Sequence, residues 1–124
     1  MKTVSTANAP AAIGPYSQGK IIGNILYTAG QIALAPGKTD LVGPSIEAQT
    51  EQVIKNLTAI LQAAGTDWSK VAKTTVFLAD MGDFGVFNGV YEKLLGDAKP
   101  ARSAVQVAAL PKGARVEIEL VAEI

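Results

Sequence analysis

Apolar and polar residues alternate in two short runs near the end of the chain. In Pro100-Ala101-Arg102-Ser103-Ala104-Val105-Gln106-Val107, the side chains of Ser103, Val105 and Val107 share one side, and those of Arg102, Ala104 and Gln106 the other. In the second run Val116, Ile118 and Leu120 oppose Arg115, Glu117 and Glu119. A period of two predicts two half-buried strands. The turn-rich Leu110-Pro111-Lys112-Gly113-Ala114 between them predicts an antiparallel hairpin. Pairing apolar with apolar across that hairpin places Arg102 and Ala104 on the same face as Glu117 and Glu119.

Upstream, a short leading strand runs into an arm, residues 9–18, with Pro10, Gly14 and Pro15, which suit neither helix nor central strand. The arm reads either as a linker or, since it carries Ile13 and Tyr16, as a segment packed on the body. Two β-rich runs around Gly23-Asn24 predict a tight hairpin whose second strand continues to Ile32. Gly30 inside it marks a bulge or a place where something approaches the backbone. Ser45 caps a helix on which Ile46, Val53, Leu57, Ile60, Leu61 and Ala64 recur at helical spacing, and Gly65 ends it. Trp68, a core-edge anchor, precedes a β-branched strand over residues 71–79. A second helix runs from Asp80 to Leu95, with Phe84, Phe87, Tyr91 and Leu94 as its apolar stripe and Asn88 as the polar exception. The order predicts an α+β domain spanning residues 1–124, a mixed sheet with two helices on one face.

The far face of that sheet, expected to hold Ala29, Thr74 or Thr75, Ala104, Gln106 and Val121, is small or mixed in character. A chain of 124 residues cannot cover it with a second layer of its own. Other copies in a closed ring are therefore expected to do so, with a groove between subunits.

Composition narrows the chemistry. Eleven basic and eleven acidic residues balance, so no electrostatic footprint for nucleic acid is present. Cysteine and histidine are both absent, which removes thiolate nucleophiles, zinc-thiolate sites and histidine acid–base work. No signal-peptide pattern or membrane-length apolar run is read, so a cytoplasmic protein is expected. Arg102 presents a flat fork suited to a carboxylate, or else forms a cross-strand ion pair with Glu117 or Glu119. Glu117 and Glu119 lie ~7 Å apart on one face of a strand. They are either solvated edge carboxylates or a pair that raises one proton affinity toward neutrality.

Several segments together resemble the RidA (YjgF) family: Gly14-Pro15-Tyr16-Ser17-Gln18, Thr28-Ala29-Gly30-Gln31-Ile32, residues 71–78, Asp83-Phe84 with Asn88 and Tyr91, Pro100-Ala101-Arg102-Ser103, and Leu110-Pro111 with Val116-Glu117-Ile118-Glu119. The resemblance runs end to end. It implies a trimer of chorismate-mutase-like fold with its site between subunits. It implies an enamine/imine deaminase that hydrolyses 2-iminobutanoate and 2-iminopropanoate, released by pyridoxal-phosphate enzymes, to 2-keto acids and ammonia. In that carry-over Arg102 clamps the substrate carboxylate, Glu117 holds or activates water, Tyr16 and Asn88 line the site, and backbone at Gly30 and Ala104 makes polar contacts. No metal or organic cofactor is implied. Ala104 stands where many members have Cys, and Ala29 where relatives often have Ser. Imine hydrolysis needs a water, a proton acceptor and an anchored carboxylate, none of which requires sulfur. A regulatory trimer that binds 2-keto acids without turnover is the alternative, and a ribonuclease or translation inhibitor a third reading that zero net charge and missing histidine oppose.

Overall fold

The computed structural model describes residues 1–124. Strand β1 (Lys2–Val4) pairs with β2 (Gly19–Ile22), which turns at Gly23 (φ 60°) into β3 (Ile25–Thr28). Helix α1 (Ile46–Ala63) starts where Ser45 Oγ accepts from the Ala48 amide at 3.1 Å, and Gly65 (φ 81°) lets the chain leave it. Strand β4 (Val71–Leu78) follows, and a single 3-10 turn over residues 81–83 precedes α2 (Phe84–Leu95). Strands β5 (Ala101–Gln106) and β6 (Val116–Glu123) close the chain.

The six strands form one mixed sheet in the order β1-β2-β3-β6-β4-β5, with β4 and β5 parallel and the other pairs antiparallel. Val53, Leu57, Ile60 and Leu61 of α1 and Phe87 of α2 are completely buried against Leu26, Val76, Val116 and Ile118 of the sheet. Trp68 anchors the edge of this core, its Nε1 donating to Thr58 Oγ1 at 2.8 Å.

Four expectations need correction. First, β5 and β6 are not a hairpin: they run antiparallel, but β4 lies between them. The reason is in β4, whose Val71, Thr74, Val76 and Leu78 are all buried and which takes a partner on each side. β5, with no buried residue, is an edge strand.

Second, the face of β5 inverts. Arg102 lies opposite Thr74, which lies opposite Leu120, so Arg102, Ala104 and Gln106 point to the helix-covered face. Glu117 lies opposite Phe77, which lies opposite Val105, so Glu117 and Glu119 point to the other face. Of the positions expected on that open face, Thr75 and Val121 are there, whereas Thr74, Ala104 and Gln106 are not. Phe77, Val105 and Tyr27 complete it, the last two about half exposed.

Third, β3 stops at Thr28 instead of reaching Ile32. Pairing resumes at a single bridge, Gln31 to Ile118. Fourth, Leu95 replaces Leu94 on the buried stripe of α2, continuing the spacing of Phe87 and Tyr91, and Leu94 is exposed.

Candidate active site

The break in β3 is where Glu117 enters. Tyr27 pairs with Val121 and Gln31 with Ile118, so residues 28–30 face only Glu119 and Leu120, an extra residue that bulges the strand. Thr28 Oγ1 accepts from the Leu120 amide at 3.0 Å, substituting for a lost ladder bond. Against the bulge lies the Glu117 side chain. A Cβ on Gly30 would overlap Glu117 Oε2 and lie 2.8 Å from Cδ and 3.0 Å from Cγ, so only glycine leaves room. Both sequence readings of Gly30 hold: it bulges, and a carboxylate approaches it.

Glu117, Gly30, Ala29 and Tyr16 line a cleft of about 590 Å³ with Pro10, Ile13 and Lys112 on its walls. Burial raises the proton affinity of the Glu117 carboxyl from that of an ordinary glutamate, and the charge of Glu119 adds in the same direction. The arm is no linker. Gln18, 3% exposed, accepts from the Thr6 amide at 2.7 Å and donates to the carbonyls of Pro10 (2.7 Å) and Thr6 (3.1 Å). This pin lays residues 10–16 along the cleft. The opposite wall is set from α1, where buried Asn56 donates to the carbonyls of Leu34 at 2.8 Å and Ile32 at 3.3 Å. Lys112, the sole non-glycine with positive φ (57°), sits in the turn where the Ala114 amide returns to the Pro111 carbonyl at 3.0 Å.

Arg102 lies elsewhere, under α2. Its Nη1 donates to Asn88 Oδ1 at 2.7 Å, and its Cζ stands 4.9 Å from the ring centre of Tyr91 and 5.3 Å from that of Phe84. With Asn88, Tyr91, Leu95 and Pro100 it lines a separate hollow of about 290 Å³. Of the two readings of Arg102, the cross-strand ion pair with a glutamate is absent; the chain's ion pairs are Lys70–Glu123 and Arg115–Asp83. Ala104 lines neither hollow and packs at the margin of the core. Within one chain, then, the predicted residues divide into Tyr16, Gly30 and Glu117 on one side of the sheet and Arg102 and Asn88 on the other. Arg102 stands level with Leu120, three residues from Glu117 and two strands away, roughly 14 Å between Cα positions.

Sequence reasoning missed Gln18, Asn56 and Lys112. Glutamine within the Pro-Tyr-Ser-Gln run was the one available signal, since a buried amide beside two prolines has free backbone carbonyls to satisfy.

A small mixed sheet with two helices on one face, a carboxylate in a bulge-lined cleft and a stacked arginine define the class. The family described as Endoribonuclease L-PSP matches residues 6–124. A protein of Lactococcus lactis named as a candidate regulator, AldR, is 54% identical, with 100% of this chain and 98% of that one covered. The mouse (Mus musculus) 2-iminobutanoate/2-iminopropanoate deaminase is 50% identical over 98% of this chain and 90% of its own. The structure of Escherichia coli TdcF with bound serine superposes with a TM-score of 0.95 at 38% identity, covering 100% of this chain and 99% of that one. The chain belongs to the Endoribonuclease L-PSP family, the RidA family whose motifs it carries.

Proposed function

We propose that this protein is an enamine/imine deaminase that hydrolyses 2-iminobutanoate and 2-iminopropanoate to 2-keto acids and ammonia. The observation that carries the reading is Glu117: a half-buried carboxyl with raised proton affinity, seated at a glycine bulge in a cleft large enough for a small acid. The mouse relative bears this activity in its name.

Arg102 holds the substrate carboxylate through charge-assisted hydrogen bonds. Water adds to the C=N carbon while Glu117 accepts its proton and passes it to the nitrogen. Glu117 then takes the proton of the carbinolamine hydroxyl and delivers it to the amine nitrogen as the C–N bond breaks, so ammonia leaves and the ketone remains. Each transfer suits a carboxyl whose proton affinity lies nearer neutrality than an ordinary glutamate's. Tyr16 and the backbone of Gly30 border the reacting group, Asn88 steadies Arg102, and the backbone of Ala104 supplies a further polar contact. Since the sheet separates Arg102 from Glu117, the working site lies between copies, Arg102 from one and Glu117 from the next. The open face with Tyr27, Phe77 and Val105 is the surface on which copies meet in a homotrimer, in the cytoplasm. No helix is long and apolar enough to cross a membrane.

The name of the Lactococcus relative favours a second reading, a regulatory assembly that binds 2-keto acids without turnover. The family's description as an endoribonuclease weighs less here, against zero net charge and no histidine. One experiment sorts these readings. A threonine/serine dehydratase generates the imines in situ, and semicarbazide traps whatever escapes hydrolysis. Wild type should suppress trapping, Arg102→Ala should lose about 10–100-fold in kcat/KM, and Glu117→Gln should lose turnover while still binding 2-oxobutanoate. If a folded wild-type protein leaves trapping unchanged but binds 2-oxobutanoate, the regulatory reading replaces the hydrolase.

A further inference from the structure

Arginine has four rotatable bonds, and a fork that swings freely binds a carboxylate weakly because its freedom is lost on binding. Arg102 does not swing freely. Phe84, Asn88 and Tyr91 stand four and three residues apart on α2, one stripe of a helix, and all three touch the guanidinium. The guanidinium carbon lies over both rings, and Asn88 accepts from Nη1. The Nε–Nη2 edge makes no hydrogen bond within the chain and is one of the two edges that can grip a carboxylate with two bonds.

Tyr91 is itself fixed. Its hydroxyl shares a 2.8 Å hydrogen bond with Thr74 Oγ1, and both residues are buried, at 7% and 0% exposure. Thr74 is also the β4 residue directly opposite Arg102 in the ladder. Backbone pairing thus carries Arg102 to Thr74, the hydroxyl pair carries Thr74 to Tyr91, and the ring returns to the guanidinium. Apolar packing alone needs no such loop: phenylalanine and valine would fill the same space.

We propose that Tyr91, locked by Thr74, is a positioning residue that sets the plane of the Arg102 guanidinium and thereby the site's affinity for the carboxylate of 2-imino and 2-keto acids. The proposal rests on the reading of Arg102 as carboxylate clamp. Carboxylate binding is made alike in ground and transition states, so loosening the clamp raises KM and leaves kcat.

The test compares Thr74→Val, Thr74→Ser, Tyr91→Phe and the Thr74→Val/Tyr91→Phe double variant. Each is titrated calorimetrically with 2-oxobutanoate and assayed for imine hydrolysis. Both hydroxyl-removing single variants should raise Kd and KM about threefold to tenfold, with kcat within about twofold of wild type. Thr74→Ser, which keeps the hydroxyl, should bind nearly as wild type. The double variant leaves no hydroxyl unpaired and guards against misfolding. Its loss should match that of either single variant, because one bond is broken only once. Wild-type affinity in both single variants, or losses that add in the double, overturns the proposal. Absence of turnover in wild type sinks the deaminase reading alone, since the 2-oxobutanoate affinities still decide the role of Tyr91. Absence of any 2-oxobutanoate binding by a wild type that turns over overturns the proposal for Tyr91 and leaves the deaminase reading standing.

Discussion

Glu117 holds its proton more tightly in the folded chain than in an unfolded one, first because it is buried and then because Glu119 is near. A raised carboxyl contributes stability that is complete below the ordinary value of 4.5 and is lost as pH rises through the folded value. Near neutrality the charged side chain therefore strains the fold it serves. Glu117→Gln should melt at a higher temperature than wild type at pH 7.5, and the two curves should converge as the pH falls toward 4. Thermal unfolding across that range checks it, and a wild type that is equally or more stable at pH 7.5 would refute the desolvation argument. The chemistry at this scale was partly legible. Glu117 and Glu119 share a face as the alternation requires, and Asn88 was marked by its place beside an aromatic stripe. Gln18 was signalled only by the prolines of its own arm, and Asn56 not at all, because its amide serves the carbonyl of a loop 22 residues away and no local pattern records such a pairing.

At the scale of elements, the bulge in β3 and the approach of β6 form one device. Gly30→Ala should leave the sheet intact, since the clash falls on the end of a flexible side chain, but it should displace the carboxylate and lower kcat about a hundredfold. Circular dichroism and single-turnover assays report the two effects, and unchanged kcat would mean the carboxylate does not act from that position. The Ser45 cap, the Gly23-Asn24 turn and the stripe of α1 could be read directly, because each is written in nearby residues. The pairing of β5 was misread. Alternation marks two half-buried strands and the turn between them suggests a hairpin, but neither says that a third strand, made earlier, stands between them. The sign was that β5 carries little apolar weight while β4 is β-branched on both sides, the mark of a central strand.

That misreading matters most for the whole molecule. Arg102 and Glu117 lie on opposite faces of one sheet, so the proposed reaction requires one residue from each of two copies. Arg102→Ala, impaired at low substrate, and Glu117→Gln, without turnover, should regain kcat/KM above either alone when unfolded together and refolded as a mixture. In a ring assembled at random from equal amounts, about a quarter of the interfaces bring an intact arginine to an intact glutamate. No recovery in a mixture shown to contain mixed rings would place both residues of each working site in a single chain.

The position of β6 also has a consequence in time. It is the last strand to be synthesised, yet it joins β3 to β4 in the middle of the sheet. Until it exists, β1 to β3 and β4 with β5 are separate sheets, each with an open edge. The 45 residues from Leu78 to Glu123 take roughly 2–9 s to make at ~5–20 residues per second. Through that interval the growing chain presents two unpaired edges to any other strand in reach. Crowding of nascent chains should therefore raise the share of the protein lost to aggregation before the core is finished.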